Sequence, residues 1–284
     1  MGTLYCGVPE ERLARLLEFR VRYPGRRATV AGTEWTYLCC GSGEDALLLL
    51  TGAACIAEMG WCSIEHFAQR YRVIAPDYPA LDTMAGLVDG VAGLMDREGI
   101  RRAHVMGGSY GGLVAQVFVR RHPDRTKSLI LSHTLLPDQE SATRMAKSAR
   151  WMRWLPMPVL RSLLKLRLGR LFPKGANPEV ALSKALFAEI VDFRLTKGQI
   201  VSLMRRVVDL GSNYWFKTDD LREWPGRVLL LMGEDDPATP PAARQALAAM
   251  YPKAQVRTFS GAGHLTAIVK QEEYFAATDG FLSP

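Results

Sequence analysis

Two hydrophobic rhythms run through the chain. Short apolar runs bounded by Gly, Pro and Asp alternate with longer stretches whose apolar residues recur every three or four positions. Ala46–Thr51, Tyr71–Ala75, Ala103–Met106, Ser128–Ser132, Arg227–Met232 and Gln255–Phe259 read as strands. Unbroken apolarity, as in Ala46–Leu50, points to burial on both faces of a sheet. Arg27–Val30 and Trp35–Cys40 read as a strand pair around a turn at Gly32. Helical spacing appears in Glu10–Val21, Ile64–Arg70, Thr83–Glu98, Leu113–Arg121, Pro241–Met250 and around Gln271–Phe281. Such alternation predicts a mostly parallel sheet with crossover helices, an α/β fold. After Leu136 the strands stop. Helix-like stretches near 140–155, 157–171, 178–193 and 196–211 follow one another, broken by Pro156, Pro158, Pro173 and Pro178. The expected organisation is a core of residues 1–136 and 223–284 interrupted by a helical cap at 137–222.

Composition narrows the class. The chain has 284 residues, 48% hydrophobic and 23% charged, with 25 Gly and 16 Pro, which excludes collagen, a disulfide miniprotein and a disordered polymer. No apolar run approaches the roughly 18 residues of a membrane-crossing helix. Glu10, Glu11 and Arg12 stand where a signal peptide would be apolar, and Cys6 follows Met1-Gly2 where a myristoylation signal wants Ser or Thr. Five cysteines without a C-x-x-C pattern read as reduced thiols, and a cytoplasmic protein is expected. The net charge of +7 is uneven: Asp138–Arg222 holds 16 Lys and Arg against 8 Asp and Glu, while the remainder holds 20 against 21. The basic surplus therefore belongs to the predicted insertion. No nucleic-acid-binding module accompanies it, so nucleic acid is not an expected partner.

The chemistry concentrates where the strand Ala103–Met106 runs into Gly107-Gly108-Ser109-Tyr110-Gly111-Gly112 and then a helix. A G-x-S-x-G between strand and helix is the setting of a nucleophile elbow. Its glycines let helix and strand approach, and the serine hydroxyl stands above the sheet edge. The segment lacks the lysine and spacing of a phosphate-binding loop. A serine needs a base. Of the five histidines, His264 lies in the loop Ser260-Gly261-Ala262-Gly263 after the last strand, and His133, after another strand, is the reserve. The base needs a carboxylate to orient it. Asp236 in Gly233-Glu234-Asp235-Asp236-Pro237 is favoured, with Asp235 or Asp138 as substitutes. Oxyanion donors are expected from the backbone N–H groups of Tyr110 and, after Leu50-Thr51-Gly52, of Ala53.

Taken together these residues resemble the α/β-hydrolase fold family over Trp35–Leu136 and Arg227–Leu282, with the loop at Ala75-Pro76-Asp77 also matching. The resemblance implies an eight-stranded, mostly parallel sheet flanked by helices, with no cofactor; no metal is expected. It further implies hydrolysis of an ester, thioester or amide through an acyl-serine, with Ser109 as nucleophile, His264 as base and Asp236 as acid. Thr51-Gly52 stands where the family usually has His-Gly, and the loop after Asp77 lacks the common Gly-x-Gly. Tyr78-Pro79 and the pattern of Ala103–Arg125 are similar to the maspardin-like branch, whose members include candidate binding proteins.

The expected substrate is a small carboxylic ester or thioester with an apolar acyl part. Two other outcomes are compatible with the same residues: a non-catalytic binding or scaffold protein, and acyl transfer or cyclisation. In the insertion, Arg150-Trp151-Met152-Arg153-Trp154-Leu155 and Leu160–Leu171 mix basic and apolar side chains. They suit a cap whose Trp, Met and Leu side chains line an acyl pocket. They also suit a surface meeting an acidic carrier protein or a membrane, or helices with apolar residues on the core and arginines in water.

Overall fold

The computed structural model describes residues 4–173 and 177–283; the Met1-Gly2 opening and Lys174 lie outside them. Eight strands form one sheet: β1 (Arg26–Val30), β2 (Thr33–Cys40), β3 (Ala46–Leu50), β4 (Arg72–Pro76), β5 (Ala103–Gly108), β6 (Thr126–Ser132), β7 (Arg227–Gly233) and β8 (Gln255–Phe259). Their spatial order is β1-β2-β4-β3-β5-β6-β7-β8. The β1–β2 and β2–β4 pairs are antiparallel and the others parallel. Every residue of β3 is buried, as its unbroken apolar run requires, whereas β8 closes one edge and is exposed apart from Phe259.

The helices are α1 (Glu10–Arg22), α2 (Trp61–Phe67), α3 (Met84–Arg97), α4 (Tyr110–Arg121), α5 (Gln139–Met152), α6 (Met157–Gly169), α7 (Pro178–Glu189), α8 (Lys197–Asn213), α9 (Pro241–Met250), α10 (Thr266–Val269) and α11 (Gln271–Leu282). Side chains set several of their starts. Thr83 accepts from Gly86 N–H ahead of α3, and Asn177 from Glu179 and Val180 ahead of α7. Thr196 and Gln199 cap α8 reciprocally. The helix expected at Ile64–Arg70 instead begins at Trp61, directly after a 3₁₀ turn at Ala57–Gly60. Its buried residues Trp61, Ile64 and Phe67 sit three apart and face the core, so packing overrides the small, loop-like composition upstream. Between β6 and β7 the described residues form α5 to α8 and a π turn at Ile190–Arg194.

Two buried polar clusters tie this helical segment to the sheet. Arg206 of α8 is wholly buried and, among the described residues, has no carboxylate partner. It donates to Tyr110 Oη at 2.8 Å, to Pro79 O at 3.1 Å and to Leu81 O at 2.6 Å, and lies against the rings of Tyr78 and Tyr110. These acceptors and ring faces replace the water the guanidinium gives up. At the other end Glu58 and Glu189 are both buried. Arg20 of α1 bridges the two, Arg194 pairs with Glu58, and Tyr5 donates to Glu189.

The turn from β5 into α4 brings backbone against backbone. A Cβ on Gly111 would come within 2.1 Å of Leu50 O, and one on Gly107 within 2.2 Å of Gly111 O. Both obstacles are backbone, so neither yields easily. Gly280 in α11 meets nothing within 4 Å. Gly111→Ala is therefore expected to cost roughly 1–3 kcal/mol or more as overpacking, while Gly280→Ala gains up to about 1 kcal/mol from helix propensity. Urea midpoints of the two variants, measured side by side, test this; equal midpoints would contradict the close approach.

Candidate active site

The carboxyl ends of β3, β5, β6, β7 and β8 deliver Thr51–Ala53, Ser109, His133, Asp236 and His264 to one rim, the usual ligand edge of a parallel sheet. Ser109 is the one residue between β5 and α4. Its backbone has φ +53° and ψ −123°, a strained region for a side chain with a Cβ. Three hydrogen bonds hold it there: Ser109 N–H donates to Ser132 O at 2.9 Å, Ser109 O accepts from Gly112 N–H at 3.0 Å, and it also accepts from Thr134 Oγ1 at 2.7 Å. The expected strand ended at Met106 and the expected helix began at Leu113. In the structure both run on through the glycines, leaving Ser109 alone at the corner.

His264 and Asp236 are both buried, and His264 Nδ1 lies 2.8 Å from Asp236 Oδ2. That oxygen also accepts from Thr239 Oγ1 at 2.8 Å, and Oδ1 accepts from Ala238 N–H at 2.8 Å. Burial pushes the Asp236 carboxyl upward, but His264 and these donors outweigh it and hold it below the ordinary range. An ionised carboxylate only accepts, so Nδ1 carries the proton and the lone pair falls on Nε2. Asp235 is exposed and accepts from Gly263 N–H at 3.1 Å, bracing the histidine loop. Asp138 caps α5 by accepting from Glu140 and Ser141 N–H. Neither hydrogen-bonds His264.

Ser109 and His264 line the same two cavities, although no hydrogen bond joins them here. One cavity, of about 230 Å³, runs beneath Leu49, Met59, Trp61, Phe172, Phe187 and Ile268. The other, of about 280 Å³, is walled by Leu113, Met145, Met152, Leu164, Met204 and Val207. They share Ala53, Ser109, His133, Leu168 and His264. Met and Leu side chains of the helical segment line these walls as expected. Trp151 and Trp154 do not: they are 77% and 73% exposed, because the buried side of that turn is taken by Met152.

Among the described residues, no loop or cap hydrogen bond uses the N–H of Ala53 or Tyr110. Tyr110 opens α4, so its N–H also has no partner within the helix. The loop carrying Ala53 is fixed from behind. Thr51 Oγ1 donates to Ile56 O, Tyr78 Oη donates to Thr51 O, and Tyr78 N–H donates to Cys55 O. Asp77 accepts from Ala57 N–H at 2.7 Å, and burial lifts its carboxyl to about 6. Of the two residues that brace this region, Tyr78 entered the sequence reading only through a family resemblance, and Arg206 was not singled out at all. An arginine beside Arg205 looks like any exposed one until α8 is seen against Tyr110.

His133 also adopts positive φ, at +49°. Its ring nitrogens meet Ser132 Oγ at 2.9 Å and Thr266 Oγ1 at 2.8 Å. Its ring stands edge-on to His264 with centroids 5.9 Å apart. Burial first, and then the neighbouring His264, bring its pKa down to about 4. Among the described residues no group of three His, Cys, Asp or Glu side chains is arranged to hold a metal ion, and no helix is long and apolar enough to cross a membrane.

Comparison with known proteins agrees with this architecture. The chain is 27% identical over 282 residues to the 2-hydroxymuconate semialdehyde hydrolase of Pseudomonas putida, covering 91% of this chain and 94% of that protein. It is 27% identical over 243 residues to the poly(3-hydroxyalkanoate) depolymerase of Ectopseudomonas oleovorans, covering 80% of each. Among solved structures, the enol-lactonase of Burkholderia xenovorans LB400 superposes with a TM-score of 0.75 at 22% identity, over 91% of this chain and all of that one (100%). The model of the alpha/beta hydrolase family matches residues 47–278. With that match and this strand order, the chain belongs to the alpha/beta hydrolase family of enzymes.

Proposed function

We propose that the protein is a serine hydrolase that cleaves a carboxylic ester or thioester whose reacting carbonyl is flanked by apolar groups. The observation that carries this reading is the His264–Asp236 contact at 2.8 Å, set where two apolar cavities meet beside the strained Ser109. In the proposed reaction His264 Nε2 takes the hydroxyl proton as Ser109 Oγ attacks the carbonyl. Asp236 keeps the imidazole in the required tautomer and offsets its charge once protonated. The N–H groups of Tyr110 and Ala53 receive the oxyanion, and the positive end of α4 adds to the field there. His264 returns the proton to the leaving group, then activates the water that frees the acyl chain. The Ser109–His264 hydrogen bond is expected to close on substrate binding, since such bonds are often long in unliganded sites.

The two lobes suggest what is cleaved. Each is lined largely by Leu, Met and aromatic side chains, so one accepts the acyl chain and the other the leaving group. A polyol or sugar ester would leave hydroxyls unpaired against these walls. The names of the relatives, a polyester depolymerase and an enol-lactonase among them, support ester chemistry at a related site.

Ser109→Ala is expected to lower kcat/KM on a medium-chain p-nitrophenyl ester by roughly 10⁴-fold. A fluorophosphonate probe should label the parent protein and not the variant. Labelling that survives in Ser109→Ala, or activity that does, would overturn the assignment.

His133 separates the two histidines. Both of its nitrogens are engaged by hydroxyls, and it stays neutral beside a base that becomes cationic during turnover. His264→Gln should match the loss of Ser109→Ala, whereas His133→Gln should stay within roughly tenfold of the parent. The depressed pKa also gives a stability signature. Between about pH 6.5 and 4 the unfolded chain binds a proton that folded His133 refuses, so acid favours unfolding across that window. The fall in Tm over this range should be shallower in His133→Gln; an unchanged slope would contradict the burial argument.

A further inference from the structure

From Ser141 to Pro178 the chain carries nine Lys and Arg and no Asp or Glu. Two of these cations reach acids outside the stretch, Arg144 to Glu140 and Lys165 to Asp192. Arg150, Arg153, Arg167 and Arg170 are exposed and have no ion-pair partner among the described residues. Interleaved with them are large apolar side chains in water: Trp151, Trp154, Val159 and Leu166. The segment packs on the core through other residues, Ala142, Met152, Leu160 and Leu164, all of them buried. The exposed set is additional to the core and follows in sequence from the end of α5 through the turn into α6. The Arg153 guanidinium lies 4.8 Å from the Trp154 ring centroid, which keeps cation and indole together at one level.

We propose that this surface docks the protein on an anionic lipid bilayer. Tryptophans with arginines beside them suit the boundary where headgroups meet acyl chains. The unpaired arginines match a surface of negative phosphates. An acidic protein would satisfy the arginines but would have to cover two indoles and two aliphatic side chains with complementary apolar surface. A bilayer covers them without any such fit. Docking is peripheral, because no helix among the described residues can span a membrane. The location carries a functional sense too. Met152, Leu163, Leu164 and Leu168 of the same two helices wall the cavity of about 280 Å³ beside Ser109, so the docked face is the outer side of an apolar chamber.

The test is co-sedimentation of the full chain with vesicles of phosphatidylcholine, alone or mixed with phosphatidylglycerol, together with tryptophan emission. The expected result is partition into the phosphatidylglycerol vesicles at least roughly tenfold stronger than into phosphatidylcholine alone, with a blue shift in emission. Trp151→Ala with Trp154→Ala should abolish the shift and weaken binding by at least roughly tenfold. Arg150→Glu with Arg153→Glu should remove the preference for the anionic vesicles. None of these four side chains lines either cavity, so both double variants should hydrolyse a soluble short-chain ester like the parent, which verifies folding. Vesicle binding is read without catalysis, so it stands apart from the hydrolase assignment. Equal sedimentation with both vesicle types, no sedimentation with either, binding to soluble polyglutamate as strong as to the anionic vesicles, or double variants that bind like the parent would each overturn the proposal.

Discussion

A helix pressed against two strands with nothing but backbone between them sets the rest of this structure. Gly107 and Gly111 remove two side chains where α4 meets β3 and β5, and their places are taken by carbonyl oxygens. Ser109 is thereby forced into a region of backbone space that serine avoids. The strain is held by hydrogen bonds to the ends of neighbouring strands, Ser132 and Thr134 among them. A looser turn would let the serine relax, and its hydroxyl would leave the rim it shares with Ala53 and His264.

Much of this was legible in the residues. Continuous apolar runs identified the buried strands because burial on two faces leaves no polar positions to alternate. The elbow was legible because its steric demand restricts residue type so severely. The acid among Glu234, Asp235 and Asp236 was a matter of local preference, and geometry separates them: one is buried against the imidazole, one braces the histidine loop from solvent. What sequence could not carry were partners set by tertiary approach. Arg206 is chemically indistinguishable from Arg205 until α8 lies on Tyr110. His133 looked like a second base, yet two hydroxyls occupy its nitrogens. The tryptophans of α5 and the following turn fitted a pocket wall, a partner surface or a packed helix face equally from sequence, and only the structure shows that Met152 takes the inward position and leaves both indoles outside.

The site also draws on the helical segment in two different ways. Met and Leu side chains from α5, α6 and α8 give the cavity walls their apolar character, which selects what enters. Arg206, from the same segment, reaches past the cavity to the hydroxyl of Tyr110 and to the loop after β4. The N–H of that same tyrosine is one of the proposed oxyanion donors. In the proposed reaction, selection and transition-state stabilisation would therefore share a scaffold, and substitutions in α8 would alter either.

Arg206 has one more consequence. Among the described residues its hydrogen bonds and ring contacts go to neutral oxygens, a thiol and ring faces. Lifting α8 away would expose Tyr78, Tyr110 and the carbonyls of Pro79 and Leu81 at once, along with a row of Leu and Met side chains. A single guanidinium thus couples α8, the loop after β4 and the first residue of α4, so a substitution that loosens α8 would disturb all three together.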